Sequence, residues 1–208
     1  APPSSSPREP GSREAPLRAR PGPSSELCRF AEARAAFSGL LDDPERSAHG
    51  HQHLGLLLER EGKWKAAQLH FDKARKLAPE DFPEPPLPTE EAFREEVARA
   101  VAALPEDMRG DLDGVPVSAE ELPADGDLLA NQPPLSPTIL GLFRGPPLGE
   151  PCDGSEEPCR SVVLYRRNLA RAVRTPEELR EQIRVTLLHE IGHLRGEDDE
   201  ELAARGLE

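Results

Sequence analysis

The chain has 208 residues, a net charge of -13, 36% hydrophobic and 31% charged residues. That acidic balance argues against nucleic acid and against an anionic membrane as partners, because both are bound through Lys and Arg. No run of roughly 18 apolar residues offers a membrane span, and the N-terminus lacks the apolar core of a secretory signal. A soluble, cytoplasmic protein is expected, provisionally, since the chain starts at Ala1 rather than at an initiator Met.

Residues 1–23 hold seven of the 24 prolines, with Leu17 as their only large aliphatic. Such a stretch cannot bury enough apolar surface to offset ordering entropy and is expected to be a disordered, Pro/Ser-rich tail. From 24 to 81 the apolar residues recur at three- and four-residue intervals, which predicts helices over about 26–41, 48–60 and 65–77. They are separated by LDDPE and by Gly62, and the last ends before Pro79. The residues Leu54, Gly55, Leu58, Gly62, Ala67, Phe71, Ala74 and Pro79 make the segment 48–81 resemble one tetratricopeptide repeat, with His51 where an aromatic is common. Ala33 and Phe37 stand one repeat length before Ala67 and Phe71, as in the second half of an earlier, degraded repeat. One and a half repeats cannot cover their own apolar faces, so the segment is expected to pack on the next domain, on a second copy or on a protein partner. A scaffold role is expected ahead of a peptide-binding groove. His49, His51, His53 and His70 do not suggest a second metal site, because His51 and His53 are two apart on a helix and cannot face one ion together.

The proline cluster at 82–89 reads as a linker, and a second domain is expected over 90–208. Thr89 caps a helix over 90–104 whose stripe is Phe93, Val97, Ala100, Val101 and Leu104. Three short runs, VPVSAE, TILGLFRG and SVVLYRRN, are rich in β-branched, aliphatic and aromatic residues and predict three strands of one sheet. Tyr165 in the last of them is read as a packed residue rather than an oxyanion donor. Between them, Cys152 and Cys159 flank a loop and could join as a disulfide or serve a metal; with Cys28 left over, free thiols are the expectation. The last long helix opens with Thr175 as cap, Pro176 at its first position and Glu178 closing a capping box.

On that helix lies HExxH, as His189, Glu190, Ile191, Gly192 and His193. Histidines four apart project from one face and can reach one tetrahedral zinc ion. Leu179, Ile183, Leu187, Ile191 and Leu194 form the opposite, apolar face and turn the histidines toward a cleft. A hydrolytic zinc needs a third protein ligand and an open position for water. Asp199 is the choice, ten residues after His189, with Gly196 free to adopt the left-handed backbone that turns the chain back; Asp198 and Glu200 remain alternatives. Glu190 is then the general base rather than a ligand.

From about Glu91 to the end, the helix carrying ALPE, the strand VPV, ILGLFRG, LYRRNL and TLLHEIGHLRGEDDEEL resemble a small bacterial family of minimal zincin-like metallopeptidases. The resemblance implies an α+β zincin fold, a mixed sheet against the active helix, and the motif HExxHxxGxxD with its Asp, at Asp199, as third ligand. Met108 precedes the motif and only nine residues follow Asp199, so the methionine turn of larger relatives is absent. The expected function is zinc-dependent hydrolysis of peptide or protein substrates by a metal-activated water. The alternative is a catalytically silent zincin-fold module that binds partners through the repeat-like helices.

Overall fold

A computed structural model of the chain describes residues 23–152, 154 and 158–207. The proline-rich stretch 1–22 and its expected disorder lie outside these residues, and so do the side chains of residues 23–29, Cys28 among them. The chain divides into two compact units, Ala1–Leu77 and Ala78–Glu208.

The first unit contains helices α1 (Pro23–Gly39), α2 (Ser47–Arg60) and α3 (Trp64–Leu77). Small residues set how closely they cross. A Cβ on Gly55 would lie 2.5 Å from Phe71 Cε1, and one on Gly50 would lie 2.9 Å from the Phe37 carbonyl oxygen, so α2 meets both neighbours at glycines. Ala67 and Ala74 of α3 are fully buried. Gly62 makes the turn between α2 and α3 with φ of +70°, a backbone that costs glycine little. His53 stacks on Phe37, and His51 pairs with His70 through their Nδ1 atoms at 2.9 Å.

The second unit runs α4 (Glu90–Ala102), α5 (Glu106–Asp111), β1 (Val117–Glu120), α6 (Asp125–Leu129), β2 (Gly141–Arg144), β3 (Ser161–Tyr165), α7 (Arg166–Ala172), α8 (Pro176–Arg195) and α9 (Asp199–Ala204). It is an α+β unit with a three-stranded mixed sheet of order β1-β3-β2, β1 parallel and β2 antiparallel to β3. The central strand is covered on both faces, which is why Val162, Val163, Leu164 and Tyr165 are all at 0% exposure and read as a continuous apolar run. Phe93 and Val97 of α4 join Leu179, Ile183, Leu187, Ile191 and Leu194 of α8 in one core with Val162 and Leu164, so both predicted stripes face inward. Met108 packs at the edge of this core.

The strands are shorter than their apolar runs. Pro116 has no N–H to pair and only accepts a bond from Val162 N at 3.0 Å, so β1 starts one residue later. The residues RRN do not extend β3; they open α7, because each side chain has a tertiary partner there. Arg166 and Arg167 donate to the Glu121 carboxylate at 2.7 and 2.6 Å, and Asn168, buried, donates to the carbonyls of Pro137 at 3.0 Å and Ile139 at 2.8 Å. Arg144 likewise forks between Glu120 and Asp127, tying β2 to the end of β1 and to α6. Expectation and structure part at the cysteines: Cys152 and Cys159 are joined as a disulfide rather than left as thiols. Seven residues apart, they close the loop between β2 and β3, whose base Arg160 organises by donating to the carbonyls of Pro146 at 2.7 Å and Pro147 at 3.0 Å. Among the described residues no helix is long and apolar enough to cross a membrane.

Candidate metal centre

Helix α8 positions the centre, and its start is set locally. Thr175 Oγ1 accepts from Glu178 N at 3.1 Å while Glu178 Oε2 accepts from Thr175 N at 3.2 Å, with Pro176 supplying the helical φ at the first position. With the register fixed and the apolar stripe turned to the sheet, His189 and His193 emerge together on the other side. Their Nε2 atoms lie 3.0 Å apart.

The opposite ring nitrogens are held by carbonyl oxygens: His189 Nδ1 by Leu207 O at 2.6 Å and His193 Nδ1 by Glu197 O at 3.0 Å. A carbonyl only accepts, so each Nδ1 donates and each neutral ring presents its lone pair at Nε2. The Asp199 carboxylate closes the group, with Oδ1 3.6 Å from His189 Nε2 and 3.3 Å from His193 Nε2. Two ring nitrogens and a carboxylate oxygen brought this close together form a donor set that a cation can bridge. One ligand atom from each lies within 4.8 Å of the others. Zinc bound tetrahedrally at about 2.0–2.1 Å from its ligands separates them by roughly 3.3 Å. Two imidazoles and a carboxylate therefore fit this ion in donor type and in spacing. Among the described residues no other group of three or more His, Cys, Asp or Glu side chains converges in this way.

Of the three acids considered from the sequence, only Asp199 meets the histidines. Asp198 is engaged as the N-cap of α9: its Oδ1 accepts from Glu201 N at 2.9 Å, and Glu201 Oε2 accepts from Asp198 N at 3.0 Å. Glu200 is not in the group. Gly196, with φ of +90°, ends α8 and turns the chain, as its position in the motif predicts. What seats α9 was not legible: a methyl on Gly192 would run into Leu202 Cδ2, so the glycine inside HExxH is the floor on which fully buried Leu202 rests.

Glu190 is 5% exposed, and its Oε2 accepts from Phe143 N of β2 at 2.7 Å. Burial pushes its carboxyl up to about 8, with the Asp199 charge adding to the rise and the Phe143 N–H opposing it. The strand approaches this closely because residue 141 is glycine; a Cβ there would lie 2.8 Å from both Glu190 Oε1 and Thr186 Cγ2. These residues line a cleft of about 520 Å³ together with His189, His193, Asp199, Leu135 and Ile139. Tyr165 lies outside that lining and is fully buried, a packed residue as read from the sequence. The backbone partners Phe143 N, Glu197 O and Leu207 O and the two close glycines escaped sequence reasoning, because none contributes a reactive side chain.

No curated protein matches this chain. Residues 112–207 match the family model of the zincin-like metallopeptidases, and over those residues the chain is similar to that family.

Proposed function

We propose that this protein is a zinc-dependent peptidase in which His189, His193 and Asp199 hold the zinc and Glu190 is the general base. The observation that carries the proposal is the convergence of two Nε2 atoms and one carboxylate oxygen in the cleft that Glu190 also lines. Zinc bound there supplies a Lewis acid that brings the pKa of a water near 7. Glu190 adjoins the first histidine in sequence, and Phe143 N holds one of its oxygens. Its place in the cleft beside His189 and His193 suits it to taking a proton from the attacking water and returning it to the departing amine. The Nδ1 bonds of both histidines keep the rings from turning away. No fourth His, Cys, Asp or Glu ligand joins the group among the described residues, which favours an open hydrolytic site over a closed structural one.

The domain division belongs to the same proposal: a tetratricopeptide-like segment over 24–81, a linker over 82–89 and the peptidase domain over 90–208. Support for the repeat reading is the pair of glycine crossings at Gly50 and Gly55 with buried Ala67 and Ala74. Its role would be scaffolding or holding a protein partner. The cytoplasmic location expected from the sequence is not carried forward, since reducing compartments keep disulfides such as Cys152–Cys159 open.

Elemental analysis tests the metal assignment. Purified wild type should carry one zinc per chain, and His189→Ala and Asp199→Ala should carry none under the same dialysis. A wild type that takes up no zinc at saturating metal would sink the reading.

A further inference from the structure

Both helices that carry metal-site residues end in the same motif. At the end of α8, Gly196 N donates to His193 O at 3.0 Å and Glu197 N to Gly192 O at 2.9 Å. At the end of α9, Gly206 N donates to Ala203 O at 2.9 Å and Leu207 N to Leu202 O at 3.1 Å. The pairing is that of a Schellman cap, with a left-handed glycine (φ +90° at Gly196, +74° at Gly206) followed by a residue whose N–H reaches back into the helix. In each case the residue after the glycine turns its own carbonyl onto Nδ1 of a cleft histidine, Glu197 O onto His193 and Leu207 O onto His189.

We infer that Gly206 is a positioning residue for metal binding: its left-handed backbone aims the Leu207 carbonyl at His189 Nδ1, which fixes the His189 tautomer and turns its Nε2 lone pair toward His193 and Asp199. The inference rests on the metal reading above but not on peptidase activity. Three observations carry it. The bond from His189 is short, 2.6 Å, and its acceptor belongs to a buried residue, Leu207 at 8% exposure, so water does not readily replace it. The cap is complete, so backbone bonds from Gly206 N and Leu207 N hold the residue that bears the carbonyl against the end of α9. And a Cβ on Gly206 would meet nothing within 4 Å, so glycine is required there for its φ and not for space. Partners that orient a ligating histidine are worth about 10- to 100-fold in metal affinity. The same segment also delivers Asp199, so residues 197–207 act as a clasp that touches the site at its third ligand and behind both rings.

The test is a graded series at one position in the full-length protein. Zinc affinity is measured by competition with a chromophoric chelator for wild type, Gly206→Asn, Gly206→Ala and Gly206→Val, with the cobalt(II) absorption spectrum and the melting temperature of the metal-free protein recorded alongside. Asn tolerates the left-handed region, Ala less so and a β-branched side chain least. Affinity should stay close to wild type in Gly206→Asn and fall through Ala to a loss of about 10- to 100-fold in Val, with an altered cobalt spectrum in the weak binders. Wild-type zinc affinity in Gly206→Val, or losses in Gly206→Asn as large as in Val, would overturn the inference. If Gly206→Val is unfolded without metal at the assay temperature, the Asn and Ala variants decide in the same way: equal affinities contradict it, and a weaker Ala supports it. Failure of wild type to bind zinc at all would be a failure of the metal reading, seen before any variant is compared.

Discussion

Asp198 and Asp199 are adjacent acids in one turn, and their partners assign them different work. Asp198 caps α9, so Asp198→Ala should cost about 1 kcal/mol of stability while zinc stoichiometry stays at wild type; Asp199→Ala should do the reverse, losing zinc with little effect on the metal-free melt. Denaturation and elemental analysis on the two variants separate the roles, and zinc loss in Asp198→Ala with retention in Asp199→Ala would exchange the assignment. Gly192→Ala is a second contrast at this scale. A methyl there runs into Leu202 Cδ2, and overpacking of this kind costs about 1–3 kcal/mol. Because Leu202 seats the helix that carries Asp199, the expected outcome is a lower melting temperature together with weaker zinc binding. A variant that melts earlier but binds zinc normally would show that α9 can shift without moving the ligand.

Among the elements, α4 and α8 were legible almost to the residue, because each combines a side-chain cap with a long apolar stripe: Thr89 with Phe93 and Val97, Thr175 with Leu179, Ile183, Leu187 and Ile191. Four short helices, α5, α6, α7 and α9, were not foreseen. With five to seven residues they show too little periodicity to read, and α7 and α9 are held in place by contacts far away in sequence, such as Asn168 with Ile139 and Leu202 over Gly192. The histidine pair could be read because HExxH places two side chains one turn apart on one helix face, whereas Asp199, beyond the turn at Gly196, could be read only with Asp198 and Glu200 as alternatives. The orienting carbonyls could not, since any residue has one. Arg166 and Arg167 at the start of α7 clamp Glu121 just beyond β1, and Arg166 also donates to the Pro88 carbonyl. Burial alone pushes the Glu121 carboxyl up, but bonds and charge from the two guanidiniums outweigh it and hold it below its ordinary value of 4.5. A lowered carboxyl stabilises the fold at pH values above the ordinary value, and that contribution disappears as pH falls through the lowered one. Glu121→Gln should therefore be less stable than wild type by roughly 1 kcal/mol at pH 7, the gap closing in acid. Urea titrations at pH 7 and pH 3 check this, and a gap that widens in acid would have the wrong sign.

At the scale of the whole molecule the charge is unevenly divided. Residues 78–208 carry 29 Asp and Glu against 13 Arg and no Lys, a net of -16, whereas residues 1–77 carry 10 acids against 13 Lys and Arg, a net of +3. A cleft set in so acidic a unit should gather cationic chains and repel anionic ones. Capture of a positively charged peptide should weaken severalfold as salt shortens the Debye length from about 30 Å at 0.01 M to about 10 Å at 0.1 M, while a neutral peptide of the same length should be indifferent. Every residue lining the metal cleft lies between Asn131 and Asp199, so residues 78–208 expressed alone should fold cooperatively and keep one zinc; a fragment that needs residues 1–77 to hold metal would contradict the domain division. The general base proposed at Glu190 does chemistry that the proposed metal ligands do not. Its most direct test is the rate at which zinc-loaded wild type and zinc-loaded Glu190→Gln cleave a charge-balanced library of fluorescence-quenched peptides, with zinc content measured in the same samples. Equal zinc and a loss of about 10²- to 10⁴-fold in the variant are expected; equal cleavage by both proteins, or no cleavage by a wild type that holds its zinc, would rule out Glu190 as the base of a peptidase.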